Sequence, residues 1–233
     1  MATRAARDVQ SEAASSAEPL LEPGDRLSRE EFERRYERMP HVKKAELIEG
    51  TVFMPSPVRA QKHSEPHSHL NWWLVSYVLE TPAVHSFDNP SVRLDLDNEP
   101  QPDLVLIKAS AKGGQARISA DDYIEGPPEL VVEIMGSSRA YDLHQKKDAY
   151  RRNGVREYLA WITDEKRVLW WHLREGQFEE ILPDRRGLLK STVFPGLWLD
   201  ANSLLRDDLK AVLAALREGL DSPEHQSFCA LTV

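Results

Sequence analysis

The stretch Gln101-Pro102-Asp103-Leu104-Val105-Leu106-Ile107, answered further along by Glu129-Leu130-Val131-Val132-Glu133-Ile134-Met135, decides how this chain folds. Both runs are almost wholly apolar and are bounded by proline or glycine, the pattern of short strands buried on both faces. Each also carries a carboxylate, Asp103 or Glu133, that an apolar interior excludes unless something compensates its charge. A basic segment follows, from Asp142 through Lys146, Lys147, Tyr150, Arg151 and Arg152 to Gly154-Val155-Arg156-Glu157-Tyr158.

The chain has 233 residues, 41% of them hydrophobic, enough for one domain with tails. A net charge of -8 argues against a protein that coats nucleic acid indiscriminately, while leaving room for a local basic patch that engages phosphates. Cys229 is the only cysteine, so no disulfide forms within the chain, which fits a reducing compartment. No stretch has the apolar length of a membrane span or the core of a secretory signal, and the expectation is a soluble cytoplasmic protein without membrane contact.

Residues 1–24, rich in Ala, Ser, Glu and Arg, read as a flexible leader, residues 25–220 as the folded domain, and residues 221–233 as a loose tail. Ser28 followed by Glu31 is a capping box for a short helix with Phe32 and Tyr36 on one face. Glu46–Glu49 and Thr51–Met54 form a strand pair turned at Gly50, and a core helix runs from Pro66 to Leu79. Ser91–Asp97 alternates as a half-buried strand. Lys108–Gly126 is a long loop with one helical turn. A second capping box at Asp142–Gln145 starts a helix over 143–153, with Gly154 as its left-handed terminus. Glu157–Ile162, Arg167–Leu173 and Gln177–Leu182 make an antiparallel, aromatic-rich meander. One helix spans Asn202–Gly219.

A carboxylate at the start of one central strand and another inside its neighbour converge at one end of the sheet, where hard divalent cations take oxygen ligands. Backbone carbonyls near Glu133 complete such a shell. The competing structural reading has Asp103 capping the turn after Pro102 and Glu133 paired with Arg139 or Arg151. Lys146 or Lys147 can bring an ammonium to the cluster, although Asp142, Lys146 and Tyr150 at helical spacing also fit a surface salt bridge. His63, His67 and His69 suggest zinc but lack a fourth ligand, and suit a supporting role beside the carboxylates better. Gly113-Gly114 lacks the lysine and hydroxyl of a phosphate loop.

Taken together, Pro102-Asp103, the Glu-Leu-Val-Val-Glu-Ile run at 129–134, Ser137-Ser138, Tyr141-Asp142-Leu143, Lys146, Tyr150 and Gly154-Val155-Arg156-Glu157-Tyr158 resemble the Uma-two family of putative restriction endonucleases. Glu46-Leu47-Ile48-Glu49-Gly50, Met54-Pro55-Ser56-Pro57 before His63, and Phe194-Pro195-Gly196-Leu197 extend the resemblance over residues 28–206. It implies the PD-(D/E)XK nuclease fold, an α+β domain with a central mixed sheet flanked by helices, and magnesium- or manganese-dependent attack of water on a DNA phosphodiester. Asp103 and Glu133 then match the acidic positions, with Ile134 as a further metal ligand, and Glu46 and His63 match further polar positions of the site. The lysine that the superfamily places two residues after the second acid is Met135 here. Lys146 resembles its displaced substitute. Gly136-Ser137-Ser138 departs from the family's Ser-Pro-Ser, which stands in a segment one residue longer.

The expectation is therefore a restriction-endonuclease-like DNA hydrolase. The alternative is a catalytically inactive module that keeps the fold as a nucleic-acid or protein contact surface. A homodimer is expected, because the Trp-rich strands around 161–171 offer more aromatic surface than a small core buries.

Overall fold

The computed structural model describes residues 19–54, 59–136 and 140–230, with the backbone alone for 140–143. Helix α1 (Arg29–Tyr36) precedes the hairpin β1 (Glu46–Ile48) and β2 (Thr51–Phe53). A π-helical turn (Ala60–Ser64) runs into α2 (Glu65–Leu79), followed by β3 (Val84–Asp88), β4 (Val92–Arg93) and β5 (Leu104–Lys108). A 3₁₀ turn (Ser110–Lys112), β6 (Arg117–Ile118) and β7 (Ile124–Glu125) occupy the loop before β8 (Leu130–Met135). Then come α3 (Ala140–Asn153), β9 (Glu157–Ile162), β10 (Arg167–Arg174), β11 (Gln177–Glu180), β12 (Leu188–Lys190) and β13 (Trp198–Asp200). Helices α4 (Ala201–Leu205), α5 (Leu209–Leu220) and α6 (Pro223–Ala230) end the described chain.

The central sheet has six strands in the order β11-β10-β9-β8-β5-β3. Only β8 and β9 are parallel, and the other neighbours run antiparallel. Parallel neighbours need a long crossover, and α3 supplies it. Both central strands are buried along their whole length, as their unbroken apolar sequence requires. Alternation sends Leu104, Leu106, Val132 and Ile134 into a core shared with α2, α4 and α5. Val105, Val131 and Met135 face the other way, into a core with Tyr150 of α3 and Tyr158 of β9. By the same period of two, Asp103 and Glu133 belong to this α3 face. A third, smaller core joins Phe32 of α1 to Leu47 and Val52 of the hairpin.

The meander and the left-handed Gly154 (φ 84°) are as expected, and several boundaries are not. Of the strand expected over Ser91–Asp97 only Val92–Arg93 pairs. The Asp95 carboxylate accepts from Asp97 N and Asn98 Nδ2, and this local bonding turns the chain instead. The helix of the basic segment begins at Ala140, so Asp142 lies within it and is not its cap. The single helix expected over Asn202–Gly219 is two, broken where Asp207 adopts φ 62° and the Asp208 side chain caps α5 on Ala211 N. Residues 221–230 are not a loose tail: α6 forms there and buries His225. The leader falls mostly outside the described residues, but Leu21 is buried and Gly24 N bonds Val52 O. Trp161, Trp170 and Trp171 are all buried within the chain, so the surplus aromatic surface invoked for a homodimer is absent from these strands. Among the described residues no helix is long and apolar enough to cross a membrane.

Candidate active site

Asp103 stands one residue before β5, and the antiparallel register Leu104↔Val132 sets it directly across from Glu133. Asp103 Oδ2 accepts the Ile134 N–H at 2.7 Å, which fixes the carboxylate against the β8 backbone. Its Oδ1 lies 3.3 Å from His63 Nε2 and 3.5 Å from Lys44 Nζ. An extended residue projects its N–H and C=O to the same strand edge, so the Ile134 carbonyl also points toward Asp103, beyond the last β5–β8 pair.

Glu133 Oε1 accepts from Lys146 Nζ at 3.0 Å and from the Tyr150 hydroxyl at 2.9 Å. Lys146 donates as well to Glu46 Oε1 at 2.8 Å, and the same oxygen takes the Gln101 N–H. The Lys146 ammonium thus bridges a carboxylate of the hairpin and one of the central sheet. Lys147, one step around α3, points elsewhere and lies 3.7 Å over the Trp171 ring. Glu133 therefore has a lysine as its cation. Arg151 is bound to Asp148 and Gly176 O, and Arg139 lies outside the described residues.

Burial alone would raise the Asp103 carboxyl, but the His63 hydrogen bond, the charges of Lys44 and His63 and the Ile134 amide overcome it and hold the group far below the usual carboxylate range. Burial pushes Glu133 up, against the opposing pull of Lys146 and with reinforcement from Asp103 and Glu46. Burial would favour a neutral Lys146, yet Glu133 and Glu46 more than compensate and fix it as an ammonium. The result is one firmly ionised acid, one acid whose charge depends on its cation, and a locked ammonium. These groups open on a cavity of about 490 Å³.

The histidines do not gather around a common point. His67 stacks on His63 at 5.9 Å and reaches the Asp103 carbonyl and Asp88, while His69 faces Asp207 at 3.7 Å. Asp103, Glu133 and the Ile134 carbonyl offer oxygen alone, the donor chemistry of a hard cation that keeps several of its own waters. Among the described residues no three His, Cys, Asp or Glu side chains converge to cage a metal without such help. Sequence reasoning missed Lys44. Lys44 lies two residues before β1, in irregular chain where no strand period assigns it a side. Spacing places Tyr150 on the Lys146 face but gives it no role.

A central mixed sheet with one parallel pair bridged by α3, and helices on both faces, defines a restriction-endonuclease-like α+β protein. The chain belongs to the Uma-two (Uma2) family: the family model described as "Putative restriction endonuclease" matches residues 29–202. Among solved structures it is similar to a putative nuclease belonging to DUF820 from Anabaena variabilis. The likeness has a TM-score of 0.53 at 16% identity and covers 78% of this chain and 97% of that one, which supports the fold. No curated protein matches the chain.

Proposed function

We propose that this protein is a metal-dependent endonuclease that hydrolyses DNA phosphodiester bonds at the Asp103–Glu133 end of the cavity. The observation that carries this reading is the meeting of two buried acids from adjacent strands with an ammonium from the crossover helix. Asp103, Glu133 and the Ile134 carbonyl would hold magnesium or manganese, which supplies Lewis-acid stabilisation of the phosphate charge and a nucleophilic water at neutral pH. Lys146 holds the attacking water and offers its charge to the developing phosphorane. Glu46 and Tyr150 keep Lys146 and Glu133 aimed. His63 helps hold Asp103 in place through its contact with Oδ1.

One observation favours the inactive-module reading: Lys146 is already neutralised by two carboxylates in the absence of substrate. The two readings part in a single set of measurements. Calorimetric titration with manganese should give weak binding that Asp103→Asn combined with Glu133→Gln abolishes, and metal should raise the melting temperature of the wild type only. Cleavage of a DNA substrate should need the metal and fail in the double variant. Metal-independent DNA binding with neither heat of metal binding nor cleavage would establish the module instead.

A further inference from the structure

The acids and lysines account for one end of the cavity only. Its remaining wall is largely apolar, with Thr51 and Gln145 as polar exceptions, and comes chiefly from the hairpin: Ile48, Val52, Phe53 and Met54, with Met135 beyond. Phe53 is half-buried, and among the described residues no aromatic ring packs against it. The ladder pairs Phe53 directly with Glu46, the residue that holds Lys146. Directly opposed residues share a face with their Cβ atoms ~5 Å apart, so the Phe53 ring stands beside the charged end. There Lys44 contributes a second ammonium, tied to Asp103 only by a long 3.5 Å contact and partly open to solvent.

A largely apolar wall carrying the Phe53 ring, joined to an end where Lys44 and Lys146 stand among Asp103, Glu133 and Glu46, fits one nucleotide: a base on the wall and its phosphate at Lys44. A base inside a duplex has both faces covered by its stacking neighbours and cannot meet Phe53 unless it leaves the helix. We infer that the cavity receives an unpaired nucleotide, its base stacked on Phe53 and its phosphate held by Lys44 at the acidic cluster, so that the substrate is single-stranded or bulged DNA. This rests on the nuclease reading for the chemistry but not for the binding.

The test separates the two. A DNA strand bearing a fluorescent adenine analogue is presented single-stranded, bulged or fully paired, and titrated with the full chain in calcium. The unpaired forms should bind about 10-fold tighter or more, with quenching of the analogue as it stacks. Phe53→Leu, which keeps the apolar filling but removes the ring, should weaken unpaired binding by about 10-fold and abolish the quench, while Phe53→Tyr retains both. Equal affinity for paired and unpaired strands, or a Phe53→Leu protein that binds and quenches like wild type, overturns the inference. The same substrates in magnesium give the second arm. Binding with the expected preference but no cleavage of any strand sinks the nuclease reading and leaves the base pocket standing. Cleavage that is indifferent to pairing and to Phe53→Leu does the reverse.

Discussion

At Lys146 two buried carboxylates share one ammonium, and the side chain is only 13% exposed. The sequence alone suggests a surface lysine whose removal hardly affects stability. Its position says otherwise, because Lys146→Ala leaves Glu46 and Glu133 facing each other without a cation, a loss on the order of 3–5 kcal/mol. Chemical denaturation should therefore show a large drop for Lys146→Ala, together with at least a ~10²-fold loss of metal-dependent cleavage. Lys147→Ala removes only a cation–π contact, costs about 0.5–1 kcal/mol and should leave cleavage near wild type. Equal effects of the two changes would remove Lys146 from the site. The positions of Asp103 and Glu133 were legible because a carboxylate in an apolar run calls for a partner and strand alternation fixes its side. The partners themselves were not, since Lys44 and Tyr150 reach the acids only through packing of the hairpin and α3 on the sheet.

Between elements, Glu99 lies buried in the turn before β5, near Glu33 of α1. Its pKa is raised from 4.5 to about 9 by burial first, then by Glu33, against the opposing charges of Arg93 and Arg29. A raised acid stabilises the fold fully below its unfolded value, and that contribution fades as pH climbs through the folded value. Wild type should thus lose melting temperature relative to Glu99→Gln as pH goes from 4.5 to about 9, and the two should run parallel at more acid pH. A pH-independent difference would show that Glu99 ionises normally in the fold. At the other end of the molecule α5 meets the Phe194–Leu197 segment glycine to glycine. A Cβ on Gly219 would come 2.2 Å from the Gly196 carbonyl and 2.9 Å from Trp198 Cγ. Helix propensity predicts that Gly219→Ala stabilises, but the contact predicts a loss of ~1–3 kcal/mol, which urea unfolding will decide. Single-residue interruptions were the part of the secondary structure least visible in sequence. The break at Asp207 arises because a capping aspartate follows it within an otherwise apolar helical pattern. The C-terminal helix was missed because its sequence has almost no amphipathic period to announce it.

On the scale of the whole molecule the sheet was readable because its two central strands are apolar without interruption, while the site is assembled from residues as far apart as Glu46 and Lys146. It also spans two units. Asp103 and Glu133 belong to the six-stranded sheet, whereas Glu46 and Phe53 belong to a hairpin outside that sheet, whose Leu47 and Val52 enter the small core with Phe32. The Leu47–Glu99 backbone bonds, Gly50 N to Asp97 O, Glu49 N to Asn98 Oδ1 and the Lys146 bridge are among its ties to the rest. A two-stranded unit with its own small core opens at a lower free energy than the six-stranded sheet it leans on. In native-state amide exchange, Leu47 and Val52 should therefore exchange as a group well before Val105 and Val131. Lys146→Ala should speed both groups, since both openings break its bridge. The wall of the cavity would then be the molecule's softest structured part, and the acids would stay in place while it opens.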